Sequence, residues 1–281
     1  YSLERVVFGA AVSSVGTNLF YASTGLRDVE VSEKNPFFTG RDGVLYSKDG
    51  TVLYAYAPGK LDERFVVPST VQEIKPYAFT EVDSLCYVDL PDGLQSIGDH
   101  AFAKMADLKE VILPDSVTEL GAEAYTHCPS VETVWVGSGV EVIPSGCFDT
   151  NESLASLTLC QGLREIRSNA FSNAEEITQL VLPESLEKVE YSAFMSCDNL
   201  KQVQIPATLR DLSTSAFNFC QSLEEYQVSP ENENYRSEDG VLFSKDLRTM
   251  LSYPSGRQGE SYTVPEGVEI INSYAFTCCP I

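Results

Sequence analysis

Apolar residues recur along this 281-residue chain with a period of 23. Seven aromatics mark the period: Phe79, Phe102, Tyr125, Phe148, Phe171, Phe194 and Phe217. Counting each aromatic as position 0, position −8 is aliphatic in every copy, as in Val71, Leu94 and Leu186. Position −5 is aliphatic too, as in Ile74, Ile97 and Val189, while position −1 is small and position −11 is usually proline. Positions +6, +9 and +11 are apolar again, as in Leu108, Val111 and Leu113. That alternation, stopped by proline, predicts a short strand with one buried face. The rest of each unit has to carry the chain back to the next strand. A unit this small cannot bury its apolar face alone, but stacked copies share one continuous core. The pattern predicts an α/β repeat solenoid: a right-handed coil of 23-residue rungs with a parallel sheet on its concave side, one domain over 1–281.

The period breaks twice, in the same way. Phe276 lies 59 residues after Phe217, and Phe20, in "GTNLFYASTGLRDVEV", lies 59 before Phe79. Two inserts at the same point of the repeat are implied, at 32–67 and 229–264. They contain near-identical octets, "DGVLYSKD" at 42–49 and "DGVLFSKD" at 239–246. In each, a strand, a polar tip and a return strand predict a β-hairpin, with Gly43 and Gly240 available for positive φ. A catalytic reading of Ser47 and Lys48, or of Ser244 and Lys245, is disfavoured because neighbouring strand residues face opposite ways. The octets are expected to be architectural.

Stretches such as "LPDGLQSIGDHAFAKMADLKEVILP" and "LPESLEKVEYSAFMSCDNLKQVQIP" resemble the leucine-rich repeat class in its BspA-like form. The likeness covers nearly the whole chain. It implies the coiled fold, and such repeats occur in bacterial surface proteins implicated in adhesion; a non-enzymatic role is expected because no catalytic constellation is present. An extracellular or cell-surface location is the matching expectation. The chain starts at Tyr1 without a leader, so it reads as an excerpt whose targeting signal, if it had one, has been removed.

Composition narrows the partners. A net charge of −22 argues against nucleic acid, which needs clustered lysine and arginine. No apolar run reaches the roughly 20 residues of a membrane span, so no membrane insertion is expected. His100 and His127 both fall in polar turns around the aromatic. His127 adjoins Cys128, but a dyad needs converging side chains, and position +3 reads as core. Cys128, Cys197, Cys220 and Cys279 all occupy that position, where other rungs carry Met105, Ala174 or Val82. Buried, reduced thiols acting as small hydrophobes are expected, with a Cys197–Cys220 bridge the lesser alternative. No zinc spacing, calcium loop or nucleotide fingerprint is present, and no cofactor or metal is expected.

Positions +8 and +10 should point outward from the strand, between buried neighbours. Most rungs place Asp, Glu, Gln or Thr there. The exceptions cluster: the chain's single tryptophan, Trp135, has Ile112 one period before it and Val181 two periods after it. Isolated surface apolars are ordinary, but aligned ones mark an interaction patch, and tryptophan is enriched in hot spots. The expected partner-binding residues are Trp135, Ile112, Val181, Thr158, Tyr87 and Thr133. They imply a binding or adhesion module for a protein or glycan, with a host component among the candidate partners. The competing reading is a spacer or display array with no ligand of its own.

Overall fold

The computed structural model describes residues 3–279, which divide after Val140 into two compact units. Both are solenoids of parallel rungs. In the first, β1 (Arg5–Phe8) pairs in parallel with β2 (Asp28–Val31). An antiparallel meander follows, β3 (Phe38–Arg41), β4 (Val44–Ser47) and β5 (Val52–Tyr56). Then come β6 (Arg64–Val66), β7 (Glu73–Ile74), β8 (Tyr87–Asp89) and β9 (Ser96–Ile97). The unit ends with β10 (Glu110–Ile112), β11 (Glu119–Leu120) and β12 (Thr133–Val136). Two walls result. On one wall β6 pairs with β8 and β10 with β12; on the other β5 is followed by the two-residue strands β7, β9 and β11.

The second unit repeats the scheme. Its short strands β13 (Val142–Ile143), β15 (Glu165–Ile166), β17 (Lys188–Val189) and β19 (Asp211–Leu212) form one parallel sheet. They alternate with β14 (Ser156–Leu159), β16 (Gln179–Val181), β18 (Gln202–Ile205) and β20 (Glu225–Val228), of which the last three pair in parallel. A second antiparallel meander, β21 (Tyr235–Glu238), β22 (Val241–Ser244) and β23 (Thr249–Ser252), precedes β24 (Ile270–Ile271).

The repeat positions behave as their polarity dictates. Positions −8 and 0 are buried throughout the seven copies and positions −5 and +9 in most, as in Leu94, Phe102, Ile97 and Val111, with Val88, Leu120 and Leu157 half-buried. The aromatics stack on their equivalents: Phe79, Phe102 and Tyr125 at centroid spacings of 4.8 Å, and Phe148, Phe171 and Phe194 at 5.2 Å. These spacings lie close to the separation of adjacent strands, so each rung adds one ring to the stack.

The helical part of the α/β expectation is not met, since the described residues contain no helix. The backbone around each aromatic gives the reason. Positions −2 and +2 take positive φ in rung after rung, as in Tyr77 and Glu81, His100 and Lys104, or Asn169 and Asn173. Two left-handed residues in five cannot belong to a right-handed helix. This conformation turns the amides along the stack. Tyr77, Phe79 and Glu81 donate N–H to the carbonyls of Asp99, Ala101 and Ala103, and His100, Phe102 and Lys104 donate to the rung after that. A small residue at −1 lets the backbones approach this closely.

The octets sit in the meanders. Asp42 and Gly43, both at positive φ, form the two-residue turn between β3 and β4, with Arg41 opposite Val44. That is the tight-hairpin geometry for which Asp-Gly is suited. A Cβ on Gly43 would lie 2.5 Å from the Arg27 carbonyl oxygen. At the next turn Ser47 donates to Asp49 (2.6 Å) and accepts the Val52 N–H (2.9 Å). Ser244, Asp246 and Thr249 repeat both bonds at 2.7 and 2.9 Å. The serine hydroxyl is also the main reason that Asp49 and Asp246 are held below the usual carboxylate range. Ser47 and Ser244 are thus occupied in turns. The strand ahead of each octet, β3 or β21, is an addition to the predicted hairpin. The return strand also belongs to the regular coil: β5 pairs in parallel with β7, and Tyr56 stacks on Phe79 at 5.3 Å.

Cys128, Cys197 and Cys220 lie in the core. Their thiols donate to the carbonyls of Phe102 (3.2 Å), Phe171 (3.5 Å) and Phe194 (3.2 Å), each the aromatic of the preceding rung. Burial pushes the Cys128 thiol up to about 12, so almost no thiolate exists near neutral pH. These three cysteines should resist a bulky alkylating reagent until denaturant is added, as intact-mass measurement would show. Modification of the native protein at any of them would contradict this packing.

Candidate functional site

The exposed side chains of the longer strands build the site. Along β12 the alternation is complete: Val134 and Val136 have no exposure, whereas Trp135 between them is 48% exposed. The period-2 pleat alone achieves this. The parallel register sets Ile112 of β10, 45% exposed, directly beside Trp135 and sets Glu110 beside Thr133. Trp135 and Ile112 share an open depression of about 500 Å³ with Asp92, Leu113, Pro114, Asp115 and Ser116. The Asp115 carboxylate accepts the Ser138 N–H at 2.7 Å, which keeps it below the usual carboxylate range. The segment "GSGVE" is a tight rung junction: a Cβ on Gly139 would lie 2.3 Å from the Asp115 carbonyl oxygen.

Tyr87 and Thr133 are half-buried, and Tyr87 has a different neighbourhood from Trp135. The guanidinium of Arg64 on β6 lies over the Tyr87 ring at 4.8 Å and bonds both carboxylate oxygens of Asp89 at 3.0 Å. Farther along the unit, Arg5 pairs with Asp28 (3.4 Å) and with Glu30. In the second unit, Thr158 on β14 and Val181 on β16 are both exposed, and Val181 pairs with Gln204 of β18. Val181, Gln204 and Gln227 line a separate depression of about 270 Å³ with Glu184 and Pro206.

Three residues of this face were missed by the sequence reading: Arg64, Val66 and Val7. Val66 and Val7 are largely exposed at the position corresponding to Trp135. The missed signal is the period itself, since Val66 lies 23 residues before Asp89 although the predicted insert at 32–67 includes it.

The histidines do not assemble chemistry with the cysteines. His127 is exposed at positive φ with its Nδ1 2.8 Å from Thr126 Oγ1, while Cys128 is fully buried. His100 stacks on Tyr77 at 4.8 Å, with Nδ1 3.5 Å from a Glu123 carboxylate oxygen. Among the described residues no group of three or more His, Cys, Asp or Glu could hold a metal ion. No described helix is long and apolar enough to cross a membrane.

Comparison with known proteins follows the same lines. The BspA type leucine rich repeat region matches in six copies, over residues 54–178 and 143–248. No curated protein matches. Among solved structures, a leucine-rich repeat protein from Eubacterium ventriosum superposes with a TM-score of 0.76 at 23% identity, over 85% of this chain. The chain spans 63% of that protein's length. A leucine rich cell surface protein from Faecalibacterium prausnitzii gives 0.64 at 23% identity, over 88% of this chain and 69% of that one. At these identities the structural likeness concerns the fold. The family match covers well over half of the sequence, and with the coil it carries the conclusion: the chain belongs to the BspA-type leucine-rich repeat family, generally surface or adhesion proteins on a generally non-catalytic scaffold.

Proposed function

We propose that the chain is a non-enzymatic binding or adhesion module, displayed at the cell surface or secreted, which engages a protein or glycan through the face bearing Trp135. The observation that carries this reading is the exposed pair Ile112 and Trp135, side by side on adjacent strands. The repeat does not require either residue, because Asp89 and Glu30 serve in the same place. An exposed indole next to an aliphatic side chain costs solubility, and contiguous exposed apolar surface marks interaction sites. Thr158 and Val181 extend the candidate set in the second unit, and Tyr87 and Thr133 complete it in the first. The surface location follows the general habit of the family.

The test is retention of partners from host matrix extracts on wild type and on Trp135→Ala. The variant should fold and melt like wild type, because Val134 and Val136 hold β12 in the core. Its affinity for a retained partner should fall by about 2 kcal/mol or more, as for other central aromatic anchors. Equal retention by both proteins would favour the display-array reading instead.

A further inference from the structure

We infer that the depression beside Ile112 and Trp135 takes an extended basic segment of a protein partner, presenting arginine or lysine next to aliphatic side chains. This rests on the reading of that face as a binding surface and narrows the partner's chemistry. The first unit contains its own template for the contact. At Arg64 a guanidinium lies over an aromatic ring, Tyr87, and is held by a carboxylate, Asp89. Two of the same three elements recur around Trp135, without the third. The indole is half exposed, Asp92 and Asp115 line its depression, and Glu110 stands one rung away beside Thr133.

Among the described residues, none of Asp92, Glu110 and Asp115 forms an ion pair, and no cation lies over the indole. On the other longer strands of the first unit the chain neutralises its own carboxylates, Asp28 and Glu30 with Arg5 and Asp89 with Arg64. Among the described outward positions of the longer strands in the first unit, the one carboxylate without an ion-pair partner is thus Glu110, beside the apolar pair. A cation over an aromatic face gains most when a carboxylate is also near and water is excluded. Ile112, Leu113 and Pro114 supply the apolar floor for the flanking aliphatic groups. The net charge of −22 adds long-range attraction for a basic partner. A neutral glycan would use the indole equally well, yet it would gain nothing from three carboxylates that lack an ion-pair partner.

The experiment measures binding of three probes to the full chain by fluorescence anisotropy: a peptide bearing arginine and leucine, its citrulline counterpart, and labelled neutral oligosaccharides. The arginine peptide should bind, and replacing arginine by citrulline should weaken it roughly tenfold. Trp135→Ala and Asp92→Asn should each weaken it similarly, whereas Glu119→Gln, on the short-strand wall, should not. Raising salt should weaken binding further, since screening shortens to about 3 Å at 1 M. If Glu119→Gln weakens binding as much as Asp92→Asn, attraction is diffuse and the inference is overturned. If only oligosaccharides bind, and through Trp135, the basic partner is overturned while the binding face stands. If the arginine peptide binds and Trp135→Ala leaves it unchanged, the basic segment is not held at this depression and the inference falls. If no probe binds, the basic-segment inference falls, and the face itself is then judged separately by the extract comparison with Trp135→Ala.

Discussion

Phe171→Ala should cost the second unit about 3–5 kcal/mol, the range for deleting a fully buried phenylalanine. Phe171 has no exposed surface and lies between Phe148 and Phe194, 5.2 Å from each and within 9° of parallel. Its backbone also carries the rung-to-rung bond to Ala193 O at 2.8 Å, which alanine would keep. The loss is therefore one of packing: two stacked faces and a cavity that neighbouring rings, each fixed on its own rung, cannot close. Stability in a coil of this type is nearly nearest-neighbour, so hydrogen exchange should accelerate first in the flanking rungs. Phe171→Leu, which leaves a smaller void, should cost less. An alanine variant with an unchanged denaturation midpoint would refute the account of the core.

Asn232→Ala should be strongly damaging, at about 3 kcal/mol or more. Asn232 is completely buried and its side chain makes four hydrogen bonds. Its amide donates to the carbonyls of Pro206 (2.7 Å) and Leu209 (2.9 Å), and its oxygen accepts the N–H groups of Asn234 and Tyr235, both at 2.8 Å. Truncation would strand four main-chain groups, and each buried orphan costs on the order of 1–3 kcal/mol unless water reaches it. Asn35 repeats the arrangement against Gly9, Val12, Phe37 and Phe38. These asparagines pin the start of each meander to the preceding rung. Limited proteolysis of Asn232→Ala should therefore cut first near β21–β23, and resistance equal to wild type would argue against the pinning role.

Most of the fold was legible because a stacked coil forces equivalent residues to coincide in space. A 23-residue spacing of Phe, Leu and Ile has few other causes, and the strand faces follow from period-2 alternation. Three features were not legible. The left-handed residues at −2 and +2 are of many types, Tyr77, His100, Lys104, Glu123, Thr150 and Phe219 among them, and apart from Gly146 they do not announce positive φ as glycine does. Strands β3 and β21, "FTGR" and "YRSE", show no clean alternation, since one lies half-covered and the other is uniformly intermediate. Asn35 and Asn232 looked like ordinary loop asparagines, and only their shared place in the duplicated segment set them apart. The exposed positions of the candidate face were readable from spacing, and Arg64 was not, because the regular coil resumes inside the stretch assigned to the insert.

The ladder beside the stacked aromatics also has a direction. Every N–H of Tyr77, Phe79, Glu81, His100, Phe102 and Lys104 points toward the following rung, and every partner carbonyl points back. A rung is therefore a one-way connector, with donors on its leading side and acceptors on its trailing side. Duplicating or removing a whole rung within a unit keeps donors opposite acceptors, whereas an insertion of any other length must leave the ladder before it can rejoin. The meanders satisfy that rule: each adds its extra chain outside the ladder, and Tyr56 and Tyr253 then resume donation to Ala78 and Ala275 at 2.8 and 2.7 Å. Such a scaffold lengthens by copying, and new chemistry can be added only at its outward positions or on arms that leave and return between rungs.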